Sequence, residues 1–299
     1  MFSKSFLKRK FAVSAKAKHF IDMELKHGCH NYAPLPVVLS KGQGPYLWDI
    51  DGKKYIDCLA GYSAVNQGHC HPKIYEALER QSEKLTITNR TFLTKSIGNF
   101  EKYLCNEFGY ENVLLMNGGV EGAEAAVKFS RRWGVESKGI DNEKVTVLFA
   151  SNNFWGRSLA ACASSDDKER YSRFGPFKNL GFEIIEYNNI QALENKLKEN
   201  PNVASFMIEP IQGEAGVIIP SNGYLRKCRE LCDKYNVLLI FDEIQTGCGR
   251  AGKLLACDYE GVRPDLLVLG KSLSGGYFPI SACLGNEKVL GLIKYSFFS

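Results

Sequence analysis

The sequence predicts an α/β chain built on a mostly parallel sheet with helices on both faces. Two observations carry that expectation. Seven short apolar runs rich in Val, Ile and Leu follow one another from about residue 110 onward. They show no apolar/polar alternation, and helical stretches separate several of them, which is the pattern of strands covered on both faces.

The strand-like runs, in order, are VLLMN (113–117), VTVLFA (145–150), FEIIEY (182–187), ASFMIEP (204–210), VLLIFDE (237–243), LLVLGK (266–271) and ISACLG (280–285). Helical stretches are expected at 121–133, 190–199 and 223–235. No internal repeat interrupts this order. The longest apolar runs fall far short of the ~18 residues that would span a bilayer.

The 299 residues suit one large or two medium domains. A chain of this size buries roughly 75% of its unfolded surface and needs no disulfide staples. Ordinary hydrophobic (44%) and charged (24%) fractions exclude a disordered chain. The net charge of +5 is concentrated at one end: Lys4, Lys8, Arg9, Lys10, Lys16 and Lys18 precede the first acid, Asp22. The rest of the chain is close to neutral, which argues against a nucleic-acid surface. The basic, acid-free residues 1–20 read as a mitochondrial transit peptide or as a solvated tail. Ten cysteines without a CxxC pair predict buried or half-buried reduced thiols, Cys228 and Cys232 among them.

In parallel sheets the chemistry sits at the carboxyl ends of strands, and four such ends stand out. In NGGVEGAEAAVK (117–128) a strand runs into Gly118-Gly119 and a helix opens. That is either an ordinary tight turn or a cup in which backbone N–H groups and the helix N-terminus hold a phosphate. It is neither a P-loop nor a GxGxxG. In FDEIQTG (241–247) Asp242 ends a fully apolar strand, where a carboxylate needs a partner: a helix cap, a metal ion or a cationic ring nitrogen. In LGKSLSGGYFP (269–279) Lys271 precedes a Ser/Gly loop, as a phosphate ligand or a Schiff-base amine. In NNFWGR (152–157) Phe154 offers a face for stacking and Arg157 a fork for a carboxylate, unless they are core and surface. A phosphate cup, a stacking aromatic, an acid for a pyridinium nitrogen and an amine for an aldehyde are together what pyridoxal phosphate requires. The histidines of GHCHP (His69, His71) lack further ligands at metal-site spacing and read as structural.

These residues, with HNYAPLPV, YSAVNQGHCHPKI, NFWGR, EPIQGEAGV, DEIQTG and GKSLSGG, resemble the class III, fold-type I pyridoxal-phosphate aminotransferases over nearly the whole chain, about 31–294. The resemblance implies a large domain on a seven-stranded, mostly parallel sheet with ISACLG antiparallel. It implies pyridoxal 5′-phosphate bound by Gly119, Val120, Phe154, Asp242, Gln245 and Lys271. Lys271 would bond to the cofactor's aldehyde and shuttle a proton, Asp242 would keep the ring nitrogen protonated, and Gln245 would meet the ring's 3-hydroxyl. Tyr32, Tyr62, Arg157 and Glu214 would line the substrate pocket.

Within the class the motifs most resemble the branch that moves the δ-amino group of L-ornithine to 2-oxoglutarate. The implied assembly is a homodimer or higher homo-oligomer, with no nucleic acid and no membrane. Acetylornithine or 4-aminobutyrate would be alternative substrates. The resemblance further implies an N-terminal segment (21–65) on the small-domain side and a large domain (66–299). It also implies a following small domain with an arginine that Glu214 would mask. The family pattern breaks after Lys294, so a truncated, weakly active or non-catalytic fragment is the competing expectation.

Overall fold

The computed structural model describes residues 13–294. The start of the expected basic leader (1–12) and the aromatic tail (295–299) lie outside the described residues. The chain divides into two compact units, Met1–Ala60 with Gln67–Lys84, and Gly61–Asn66 with Leu85–Ser299. Residues 67–84, counted above with the large domain, cluster with the first unit.

In the first unit a helix runs over Ala15–His27. Ser14 caps it, its Oγ accepting from Ala17 N–H at 3.0 Å, and Lys26 and His27 close it where the dipole favours cations. Three short strands, β1 (Leu39–Gln43), β2 (Tyr46–Asp49) and β3 (Lys54–Ile56), make an antiparallel meander. Its second turn is tied by Asp49, which accepts from Tyr55 Oη at 2.7 Å and from the N–H groups of Asp51 and Lys53. His69 Nε2 lies 2.7 Å from Asp57 Oδ2, so this histidine has a structural partner.

All seven expected strands form in the second unit: β4 (Asn112–Met116), β5 (Thr146–Ala150), β6 (Phe182–Ile185), β7 (Val203–Ile208), β8 (Leu238–Asp242), β9 (Leu266–Leu269) and β10 (Ser281–Gly285). They build one sheet in the order β4-β10-β9-β8-β7-β5-β6. From β9 to β6 every pairing is parallel, and β10 alone runs against both of its neighbours.

Every residue of β5, β7, β8, β9 and β10 is buried. Helices on both faces are the reason. On one face the helix Gly119–Glu136 lays Ala123, Ala126, Val127 and Trp133 against Val147, Met207, Ile240 and Val268. Its small residues allow close approach: a Cβ on Gly134 would sit 2.8 Å from the Cβ of Ala204. On the other face Leu104, Leu193, Leu197, Leu225 and Cys228 cover Leu148, Phe206, Leu239, Phe241 and Leu267. Each large side chain buried this way stabilises the fold by about 1.5–3 kcal/mol.

Cys228 and Cys232 are buried free thiols. The expectation for the other cysteines needs a correction, because Cys29, Cys58 and Cys70 are exposed. They lie in the thinner first unit, which has little interior to hold them. Among the described residues no helix is long and apolar enough to cross a membrane.

Candidate active site

Parallel pairing fixes which strand ends are neighbours. Ile208 on β7 pairs with Phe241 on β8, so Glu209 and Asp242 follow side by side. Asp242 pairs with Val268 on β9, and β9 then leads through Gly270 to Lys271. Three ionisable residues therefore leave one edge of the sheet together.

Asp242 is buried at 5% exposure. Its Oδ1 accepts from Ile244 N–H at 2.9 Å, and among the described residues its other oxygen accepts nothing. Burial, and then the charge of Glu209, push its pKa up to about 7. Burial pushes the Lys271 amine down, while Asp242, Glu209 and Glu214 pull it back. Both groups are thus driven toward neutrality by their surroundings, and each is close enough to feel the other. Lys271 also stands at φ 44°, in the left-handed region, at a cost of about 1–2 kcal/mol for a residue with a side chain. The adjacent Glu243 turns away: it accepts from Thr246 Oγ1 and from the N–H groups of Ala256 (3.0 Å) and Cys257 (2.8 Å).

Across the antiparallel β10, β4 runs into the glycine turn and the 18-residue helix Gly119–Glu136. Gly118 N–H is taken by Glu121 Oε2 at 2.5 Å, and Gly118 C=O accepts from Ser281 Oγ at 2.7 Å. Among the described residues the N–H groups of Gly119 and Val120 meet no acceptor. They are the open donors of a helix N-terminus, where the dipole favours an anion. Ile244 ties this turn to the lysine loop: a Cβ on Gly119 or on Gly270 would come within about 3.2 Å of its side chain.

The loop after β5 carries Phe154 and Arg157. Phe154 N–H donates to Glu209 Oε1 at 3.1 Å. The guanidinium of Arg157 lies 5.4 Å from the Phe154 ring centroid and that of Arg170 lies 4.7 Å from it. Arg170 is held by Asn153 O (3.1 Å) and Asp167 (3.2 Å) and reaches Glu214 at 4.0 Å. Gln245 packs on Gly213, which has no room for a Cβ. Gly156, at φ 148°, is likewise crowded by the Val120 side chain.

Lys271, Asp242, Gly119, Val120, Phe154, Gln245, Arg157 and Glu214 all belong to the second unit. Tyr62 belongs there too, in a left-handed stretch with Gly61 (φ 58°) and Ser63 (φ 73°). Its ring is exposed, and among the described residues no hydrogen bond joins it to the others. Tyr32 belongs to the first unit, where its ring is exposed.

Two residues escaped the sequence reading. Glu209 carried the same signal as Asp242, an acid after an apolar strand, within EPIQGEAGV. Arg170 carried none, because only the folding of its loop brings it over Phe154.

A doubly covered sheet with a buried acid, a depressed lysine and an open helix N-terminus at its carboxyl edge defines a class of group-transfer fold. The chain belongs to the family described as Aminotransferase class-III, whose profile matches residues 28–296. Among curated relatives it is 55% identical to the mitochondrial ornithine aminotransferase of Drosophila melanogaster, over 95% of this chain and 65% of that protein. It is 52% identical to that of Rattus norvegicus, over 93% of this chain and 63% of the other. It thus spans about two thirds of the length of these relatives.

Among solved structures, the ornithine aminotransferase of Toxoplasma gondii superposes with a TM-score of 0.91 at 48% identity, covering 97% of this chain and 67% of that one. A second structure of the Toxoplasma protein is described as showing partial occupancy of PLP at the active site. An acetylornithine aminotransferase from Elizabethkingia anophelis matches with a TM-score of 0.83 at 46% identity, over 94% and 67%.

Proposed function

We propose that this chain holds pyridoxal 5′-phosphate at the carboxyl edge of its large sheet and serves the transfer of the δ-amino group of L-ornithine to 2-oxoglutarate, giving glutamate 5-semialdehyde and glutamate. The observation that carries the reading is the adjacency of buried Asp242, one oxygen still open, and the depressed amine of Lys271 at neighbouring strand ends beside two unclaimed N–H groups. That donor and acceptor set fits the cofactor: an acid for a protonated ring nitrogen, an amine for an aldehyde and a helix N-terminus for a phosphate.

When bound, the cofactor supplies an aldehyde that takes up an amino group and a ring that accepts an electron pair. The chain's own residues do the rest. Lys271 Nζ, favoured as a neutral amine by burial, supplies the displaceable nitrogen and later holds and moves a proton. Asp242 keeps a cationic ring nitrogen paired. Gly119 and Val120 N–H hold the phosphate, Phe154 gives the stacking face, and Gln245 bonds the ring hydroxyl. Arg157 receives the substrate's α-carboxylate, which leaves the distant δ-amine as the end that reacts. Tyr62 lines the pocket, Tyr32 is the ornithine-selecting tyrosine that the family resemblance implies, and Glu214 shields a cation until a second carboxylate arrives.

The names of the curated relatives and the basic start of the chain support placement in the mitochondrion rather than the cytoplasm. Association of like chains belongs to the same proposal.

Mixing the protein with pyridoxal phosphate should produce a visible absorption band that borohydride fixes as a mass increment on Lys271. No band and no increment would overturn the reading. Acetylornithine, the substrate in the name of one structural neighbour, is the alternative to be tested against ornithine. Tyr32→Phe should weaken ornithine selectively, and an unchanged preference between the two would support acetylornithine.

A further inference from the structure

Glu209 does more than end a strand. It is 9% exposed, and each of its carboxylate oxygens takes a backbone N–H from a different loop. Oε1 accepts from Phe154 and Oε2 from Gly213, both at 3.1 Å. Phe154 is the stacking face and Gly213 is the surface on which Gln245 packs. Pairing of β7 with β8 sets Glu209 directly beside Asp242. Tyr187 Oη braces the same corner by donating to the backbone oxygens of Glu209 (3.2 Å) and Pro210 (3.1 Å).

We propose that Glu209 is a positioning residue of this site: one buried carboxylate that clamps the Phe154 loop to the Gly213 turn and sets a negative charge beside Asp242 and Lys271. The inference rests on the cofactor site proposed above. Two N–H clamps alone do not require a charge, because a neutral acceptor would satisfy them without the cost of desolvating a carboxylate. The groups that face Glu209 favour the charged form against its burial. Burial raises its pKa; the N–H groups of Gly213 and Phe154, then the cations Lys271 from the end of β9 and Arg170 from the loop after β5, act the other way, and Asp242 from β8 is a like charge. Lys271 in turn faces Asp242, Glu209 and Glu214. With Glu209 ionised, the amine keeps enough basicity to carry a proton despite its burial. With Glu209 neutral, burial acts on the amine with one opposing charge fewer.

The test reads Lys271 in the chain without cofactor. The pH dependence of its acylation by acetic anhydride is followed by mass spectrometry, with exposed Lys144 as internal reference. Glu209→Gln should lower the midpoint by about half a pH unit, so that labelling below the midpoint runs about threefold faster. Glu209→Asp, which keeps the charge, should stay near wild type. If both variants fold and both leave the midpoint unmoved, Glu209 is a clamp only and the proposal fails.

If Glu209→Gln does not fold, the wild-type chain decides. The Cδ resonance of ¹³C-labelled Glu209 should show an inflection at the midpoint of Lys271, and Lys271→Ala should abolish it. A resonance indifferent to Lys271 overturns the proposal. These readouts do not use the cofactor. A chain that fails to take up pyridoxal phosphate would refute the proposed function while the amine titration still reports on Glu209.

Discussion

Asp242 shows how a single position ties stability to chemistry. Its folded pKa, about 7, lies well above the ordinary aspartate value of 3.8. Below about pH 4 the group is protonated in both states and costs nothing. As pH rises toward 7 the unfolded chain ionises it freely and the folded chain does not, so stability falls and then levels off. Asp242→Asn removes this dependence. Without cofactor the variant should therefore resist urea better than wild type at pH 8, by up to about 4 kcal/mol, with the gap closing toward pH 4. Equal unfolding midpoints at pH 8 would contradict this. Asp242 and Lys271 were legible in the sequence because a charge that closes an apolar run is costly unless something receives it. Glu209 obeyed the same rule and was passed over among the other residues of its motif. Arg170 and Gly213 could not be read, because their roles arise from loops that meet only in the folded chain.

At the level of elements, burial decided what could be read. Five strands of the large sheet, β5 and β7 to β10, declare themselves because they are covered on both faces and so need unbroken apolar residues, and the partly covered edge strands β4 and β6 keep enough of that pattern to be read as well. The helix Ile190–Glu199 falls where its periodicity put it. The helix Gly119–Glu136 starts two residues early, since Gly119 is already its first residue. The meander β1–β3 left no such trace: its strands are three to five residues long and mostly exposed, so neither alternation nor an apolar run marks them. The tightly covered sheet sets the next expectation. Leu267 is fully buried at the centre of β9, among Phe241, Leu269 and Leu284. Leu267→Ala should lower unfolding stability by about 2–5 kcal/mol in urea titrations. A loss below 1 kcal/mol would mean that the sheet relaxes around the gap.

For the molecule as a whole the informative surface is apolar. In the second unit Leu85, Ile87, Phe92, Leu93, Val217 and Ile219 all stand exposed, Leu93 almost completely. Leu85, Ile87, Phe92 and Leu93 fall within nine successive positions, and an exposed apolar segment of this kind is what a second surface would cover if like chains associate as proposed. Light scattering behind a sizing column should find the chain self-associated. Replacing Ile87 and Leu93 with Ser should shift the distribution toward single chains with little change in far-ultraviolet dichroism. An unaltered profile would place the contact elsewhere.

The crowding of Gly156 by Val120 has a consequence for how such a chain can vary. Two segments thirty-six positions apart press into one small volume, one in the turn that opens the helix Gly119–Glu136 and the other in the loop that carries Phe154. Neither can grow alone. Descendants of this sequence that enlarge one of them must shrink or bend the other in the same lineage, so the two positions should change in concert.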